Sequence, residues 1–292
     1  MGTATRFDSF LSNIRITTGD LVEARMRASN IASCLNSYYH NDSNVEWTYR
    51  IIGSYGKGTA VSPPRDVDML FLPPVEIYYR FNGYSGNGQS ALLQEVRSVL
   101  QSRYPSTSIR GDGQVVVVTF KSGHKVEVLP AWKANKSNKY IVPNTHDGGK
   151  WNTVDHDAEI SNVENSDTRS RGNTRNLIKM MKVWQTYCNV PIKSLALELR
   201  SVSFLASWEN YKKGTTYYDW MVRDFFGELI KKANSWCTIP GIDEKCMYHD
   251  DWLSKAESAY NRAIKACDYE ASNNDAAAAE EWRKIFGAQY GY

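Results

Sequence analysis

Apolar residues recur at every third or fourth position through much of the chain. Within residues 21–39, Leu21, Ala24, Ala28, Ile31, Ala32 and Leu35 predict one buried stripe inside a mostly helical stretch, 7–40. Thr18 and Asp20 supply caps at its start. The same period returns at Leu92, Leu93, Val96, Val99 and Leu100 within 88–104, and at Leu177, Met180, Met181 and Trp184 within 174–188. It continues through 192–208 and through 217–236, where Trp220, Phe225 and Leu229 are available for packing. Two helices close the chain, DWLSKAESAYNRAIKACDYEASN and DAAAAEEWRKIFG; the alanine run 276–279 is strong helix propensity. Strands read between these helices: EWTYRIIG, a strand carrying Asp66 and Asp68, and VVVVTFKSGHKVEVLPAW as a hairpin turning at Ser122-Gly123. Residues 75–88 are rich in Tyr and Gly and predict a loop. Residues 133–176 are polar and loop-rich, a connection longer than the norm.

Candidate chemistry gathers in residues 51–74, IIGSYGKGTAVSPPRDVDMLFLPP. Strand side chains two apart share a face, so Asp66 and Asp68 aim at one spot while Val67 turns away. Such carboxylates repel unless a cation neutralises them, and hard oxygen ligands select Mg²⁺ or Mn²⁺. Upstream, Gly53-Ser54 and Gly56-x-Gly58-Thr59 leave backbone N–H groups and hydroxyls to cradle a phosphate chain. No G-K-[ST] opens a helix after Gly58, which excludes a Walker loop; a strand follows, which excludes a dinucleotide-binding turn. Glu127 stands between Val126 and Val128, an expensive place for an acid unless it is paired or ligates a cation. A structural ion pair there, and a solvated strand end at Asp66–Asp68, are the alternatives.

GSYGKGTAV followed by DVDML resembles the catalytic signature of the polymerase-β-like nucleotidyltransferases. The chain as a whole is similar to the bacterial CD-NTase branch, relatives of cyclic GMP-AMP synthase and oligoadenylate synthase. That resemblance implies an α+β fold with a mixed-sheet nucleotidyltransferase core over 1–150 and a helical C-terminal lobe over 151–292, with residues 7–40 carrying a spine helix. It implies a third catalytic carboxylate at Glu127, in Val126-Glu127-Val128-Leu129-Pro130-Ala131. Most relatives carry Asp there, so Glu127 departs from the pattern. Two Mg²⁺ (or Mn²⁺) ions on Asp66, Asp68 and Glu127 follow from the same likeness, with Gly53 and Ser54 on the nucleotide phosphates. Lys182, Trp184, Pro191, Ser194 and Glu198 are similar to the family's helical-lobe signature, in which a lysine and a serine reach the triphosphate. Lys182 and Ser194 fit those roles, with Lys179 as the nearest rival. Pro143, Gly148, Gly149 and Trp151 resemble the family's linker; the Pro240-Gly241 break and E-W-R-K-I-F-G resemble its C-terminal part. The implied activity is condensation of NTPs, ATP and/or GTP, into a cyclic di- or trinucleotide messenger, in bacterial anti-phage signalling. A linear or target-modifying nucleotidyltransferase acting on RNA or protein, and an inactive nucleotide sensor, are the other readings.

Charge and composition narrow the partners. The 292 residues carry a net charge of +3, too mild for a general nucleic-acid binder, so no DNA or RNA template is expected. No apolar run approaches the length of a membrane span, and no signal-peptide pattern opens the chain. Five cysteines without a C-x-x-C favour reduced thiols in a cytoplasm. Cys237, Cys246 and His249 offer three zinc ligands without an evident fourth, and plain thiols are the simpler reading. His146 and His156 read as solvated loop histidines. A monomer is expected, with regulatory protein partners left open.

Overall fold

The computed structural model describes residues 2–64, 66–121, 124–134 and 137–291. The chain divides into two compact units: Ile16–Ala60 with Pro64–Ile160, and Met1–Arg15 with Val61–Pro63 and Ser161–Tyr292. The division falls ten residues beyond the expected boundary at 150. The first fifteen residues and the Val61–Pro63 segment go with the helical unit.

The first unit is built on a five-stranded mixed sheet. Its strands are β1 (Tyr49–Ile51), β2 (Val67–Phe71), β3 (Ser108–Asp112), β4 (Val115–Thr119) and β5 (Lys125–Pro130), in the order β1-β2-β5-β4-β3. Only β2 and β5 run parallel. On one face of β2, Val67, Met69 and Phe71 pack with Ala28, Ile31 and Leu35 of helix α2 (Thr18–Tyr39) and with Leu92, Val96 and Leu100 of helix α5 (Gly88–Arg103). On the other face, Leu70 and Leu129 pack with Ala131, Tyr140 and Val142. Asp68 and Glu127 fall in the same alternation as Leu70 and Leu129, so the sheet's pleat sends both acids to that second face. The expected turn at Ser122-Gly123 lies outside the described residues.

Several expectations are corrected here. The N-cap of α2 is Thr17, reciprocally bonded with Asp20 in a capping box, while Thr18 is already inside the helix. Leu21 sits outside the buried stripe, at 37% exposure, because the stripe begins a turn later at Ala24. Residues 75–82 are helix α4 (Val75–Asn82), with Pro74 at its N-cap and Gly83 at its C-cap. Phe81 is buried, and Tyr78 packs against Trp132 and Trp151 at 5.6 and 5.0 Å between ring centroids. The stretch 133–176 contains a second antiparallel sheet of β6 (Trp132–Lys133), β7 (Tyr140–Asn144) and β8 (Lys150–Val154). It also contains helix α6 (His156–Arg169), started by Asp155, whose Oδ1 accepts from Ala158 N–H at 2.8 Å. Val163 is its one fully buried apolar residue, so little hydrophobic period shows in the sequence.

The second unit packs α7 (Asn173–Tyr187), α8 (Ser194–Ser207), α9 (Tyr218–Ile230), α10 (Leu253–Ala271) and α11 (Asp275–Phe286) with the N-terminal α1 (Thr3–Asn13). Phe7 of α1 meets Trp282 and Tyr290 at 5.4 and 5.2 Å, edge to face. Leu177, Met180, Met181 and Trp184 are fully buried, as their spacing predicts. Trp220 is 44% exposed rather than inward, and Phe225 and Leu229 fill the core in its place. The segment around Pro240-Gly241 is a two-stranded hairpin, β9 (Trp236–Thr238) with β10 (Lys245–Met247). Among the described residues no helix is long and apolar enough to cross a membrane.

Candidate active site

The parallel register of β2 and β5 sets Asp68 directly beside Glu127. Asp66 lies just before β2, with Lys125 Nζ 3.7 Å from its Oδ1. Burial pushes the Glu127 carboxyl up to about 7, and the charges of Asp68, Asp66 and Asp112 push the same way, against Lys125. Four acids gathered here against Lys125 leave an excess of negative charge, which a divalent cation would neutralise. These donors are all hard carboxylate oxygens, so they fit Mg²⁺ or Mn²⁺. Their oxygens do not all lie within 4.8 Å of one another; among the described residues the trio that does is Asp219, Cys267 and Glu270 in the helical unit.

Residues 53–57 form the short helix α3 (Gly53–Lys57) where the sequence predicts only a turn. Its first helical hydrogen bond runs from Gly56 N–H to Ile52 C=O at 3.0 Å. The N–H groups of Gly53, Ser54 and Tyr55 therefore have no acceptor within the helix. Gly53 has φ +59, and a Cβ placed there would stand 1.8 Å from Asp68 Oδ2. Glycine is required because the Asp68 carboxylate occupies that space. The helix ends at Gly58, in the left-handed region with φ 68.

A buried ion pair holds α3 in place, and sequence reasoning missed it. Lys57 is 5% exposed, and its Nζ lies 2.7 Å from Glu159 Oε2 on the first turn of α6. Burial raises the Glu159 carboxyl, but the His156 hydrogen bond and the Lys57 charge outweigh it and hold it at about 2. His156 is thus a half-buried helix residue with Nδ1 3.3 Å from Glu159 Oε1, not a solvated loop histidine; His146 is exposed, as expected. Nothing local in the sequence links positions 57 and 159.

Within the helical unit, Lys182 lies on α7, 8% exposed, with Nζ 2.7 Å from Glu198 Oε1 of α8. Ser194 opens α8 and donates to Gln185 Oε1 at 3.0 Å. Lys179 is held below the ordinary lysine range by burial and by the neighbouring Arg15. The ligand atoms of Cys237, Cys246 and His249 do not converge into a metal-binding group among the described residues. Asp219 and Glu270, two acids in an apolar core, are both raised by burial; the Asp219 charge and hydrogen bond add to the rise of Glu270, to about 8, while the Glu270 hydrogen bond works against the rise of Asp219.

The family model of the Second Messenger Oligonucleotide or Dinucleotide Synthetase domain matches residues 1–166. Solved structures share the fold. The CdnC of E. coli MS115-1 in complex with HORMA-deltaN has TM-score 0.76 and 15% identity over 99% of this chain and 98% of that one. The same CdnC with ATP has TM-score 0.68 and 16% identity over 99% and 98%. Vibrio cholerae DncV cyclic AMP-GMP synthase, with the linear intermediate 5′ pppA(3′,5′)pG, has TM-score 0.68 and 15% identity over 83% of this chain and 69% of that one. No curated protein matches the chain.

Proposed function

The chain belongs to the family of second messenger oligonucleotide or dinucleotide synthetases, and from that premise we propose that it condenses NTPs into a cyclic di- or trinucleotide at Asp66, Asp68 and Glu127. One observation carries the proposal: the parallel pairing that puts Asp68 beside Glu127, with Gly53 left bare for the Asp68 carboxylate. The three acids would hold divalent ions, in number two. Bound there, the ions would neutralise the triphosphate and lower the pKa of the attacking ribose hydroxyl. The N–H groups of Gly53 and Ser54 bind the β and γ phosphates and fix the α-phosphate for attack. Glu127, as the carboxylate nearest the acceptor, takes the proton from the hydroxyl. The Lys57–Glu159 pair positions the cradle without touching substrate. The same proposal keeps Lys182 and Ser194 as triphosphate ligands, on the family's helical-lobe signature. Two successive transfers, with the first product turned around between them, close a ring.

We place this activity in bacterial anti-phage signalling in a cytoplasm, on kinship with the CD-NTases. The HORMA complex of the E. coli relative supports a regulatory protein partner for this chain as well. The test is purified protein with Mg²⁺ or Mn²⁺ and an NTP mixture. Phosphatase-resistant nucleotides are expected, identified by mass spectrometry, and Asp66→Ala with Asp68→Ala abolishes them. Products with free phosphate ends, or label retained on RNA or protein, would replace cyclisation with linear or target-modifying transfer. NTP binding without pyrophosphate release would leave a sensor.

A further inference from the structure

The β9–β10 hairpin places Cys237 and Cys246 directly opposite each other. On one side of this pair, Tyr248 N–H donates to Ser235 C=O; on the other, Ile239 N–H donates to Glu244 C=O, each at 2.9 Å. Both bonds lie two residues away, so Cys237 and Cys246 also occupy a hydrogen-bonded position of the ladder. Cα atoms in such a position lie about 5.5 Å apart, inside the span of a disulfide, and both side chains leave the same face. We propose that Cys237 and Cys246 form an oxidation site, a hydroperoxide-reactive thiol and its resolving thiol, which closes a cross-strand disulfide within the chain.

The two cysteines differ as those roles require. Cys237 is half-buried; Cys246 is buried at 5% exposure. The Cys246 thiol, then the Tyr248 hydroxyl and the Arg200 guanidinium, hold Cys237 below the ordinary thiol range against the effect of burial. In its neutral form Cys237 makes only a 3.8 Å contact to the Cys246 carbonyl, so little is lost when it ionises. Burial pushes Cys34, Cys188 and Cys267 up. The hydrogen bond to Cys237, with burial, does the same to Cys246. Cys237 is therefore the one thiol of the five favoured as a thiolate, the form that reacts with peroxides. The Tyr248 hydroxyl also reaches Ala196 C=O at 3.5 Å, which ties this end of the hairpin to α8.

The chemistry balances with a hydroperoxide as the oxidant. The Cys237 thiolate attacks the terminal peroxide oxygen, and the O–O bond breaks. The leaving alkoxide takes a proton to become an alcohol, or water from hydrogen peroxide. Cys237 is left as a sulfenic acid, oxidised by two electrons as the peroxide is reduced. The Cys246 sulfur then attacks the Cys237 sulfur. The S–S bond forms, and hydroxide leaves with the Cys246 proton as water.

The proposal stands apart from the nucleotidyl-transfer reading and is tested on the full chain at neutral pH. Stoichiometric hydrogen peroxide should remove two hydrogen atoms from the intact mass and join the peptides carrying Cys237 and Cys246, reversibly with dithiothreitol. Cys246→Ser should stop at a sulfenic acid on Cys237 that dimedone captures, and Cys237→Ser should not react. Without any variant, iodoacetamide should label Cys237 at least about tenfold faster than Cys34, Cys188 or Cys267. Oxidation of Cys237→Ser at the wild-type rate, a crosslink through another cysteine, or Cys237 labelled no faster than Cys34 would each overturn the proposal.

Discussion

Gly53→Ala separates the site's geometry from the chain's stability. The φ of +59 at this position costs an L-residue roughly 1–2 kcal/mol. The new Cβ would also stand 1.8 Å from Asp68 Oδ2 and 2.6 Å from its Cγ, where ordinary contact begins at 3.4 Å. The oxygen must therefore retreat by about 1.6 Å. That retreat draws Asp68 out of its place beside Glu127 while the strands stay paired. Misplacing a reacting group by about 1 Å lowers rate on the order of 10²-fold. Pyrophosphate release from Mg²⁺ and NTPs should fall at least that far, whereas thermal unfolding shifts down by only a few degrees. In an Asp68→Ala background the contacts to Oδ2 and Cγ are gone and only the 3.0 Å approach to the Cβ of residue 68 remains, so the second substitution should add the backbone term and a small steric one. Gly86→Ala is the control, because nothing lies within 4 Å of its Cβ; activity should be unchanged. Gly53→Ala enzyme within threefold of wild type, or Gly86→Ala enzyme equally impaired, would refute the reasoning.

Further outcomes concern two acids, Glu159 and Glu270. Lys57→Met leaves Glu159 with its His156 hydrogen bond but without its ion pair, and should lower unfolding free energy by about 3 kcal/mol in urea titrations. Because folding holds Glu159 at about 2 rather than 4.5, that stabilisation is complete above about pH 4.5 and is lost as pH falls through about 2. Glu159→Gln should accordingly be less stable than wild type at neutral pH, with the gap closing in acid. Glu270 has the opposite sign. Between pH 4.5 and about 8 the folded chain keeps a proton that the unfolded chain has released, so stability falls as pH rises through that window. Glu270→Gln imitates the protonated form and keeps the acceptor for Trp282 Nε1, 2.9 Å away. Its melting midpoint should exceed wild type at pH 8 and match it at pH 4.5.

Where a helix is amphipathic the sequence placed it; where its stabilisation is not hydrophobic it was hidden. Leu177, Met180, Met181 and Trp184 announce α7 because a core stripe must recur at the helical period. By contrast α6 is held at its start by Asp155 and by the Glu159–Lys57 pair, and its surface is polar nearly all round. The sheet of β6, β7 and β8 was masked for a related reason. Pro143 and a run of polar residues break the alternation, although Tyr140 and Val142 are buried where a strand would bury them. At α4, glycines on its C-terminal side suggest a loop, yet Tyr78 finds its aromatic partners far along the chain, at Trp132 and Trp151.

The candidate site divides along the same line. A two-residue period is local information, so Asp66-Val67-Asp68 and Val126-Glu127-Val128 each declare which face their acids take. Which strand lies beside which is not local. The parallel register of β2 with β5 depends on two apolar faces being covered at once: Val67, Met69 and Phe71 against α2 and α5, Leu70 and Leu129 against the second cluster. A one-residue slip of either strand would turn its acid to the other face and bury a carboxylate among Ile31, Leu35 and Leu92. The hydrophobic core thus fixes the register, and the register is what sets Asp68 beside Glu127. Charge alone would drive the two acids apart: after burial, the Asp68 carboxylate does most to raise the Glu127 carboxyl. The fold holds them together against that repulsion, and a bound cation would relieve it.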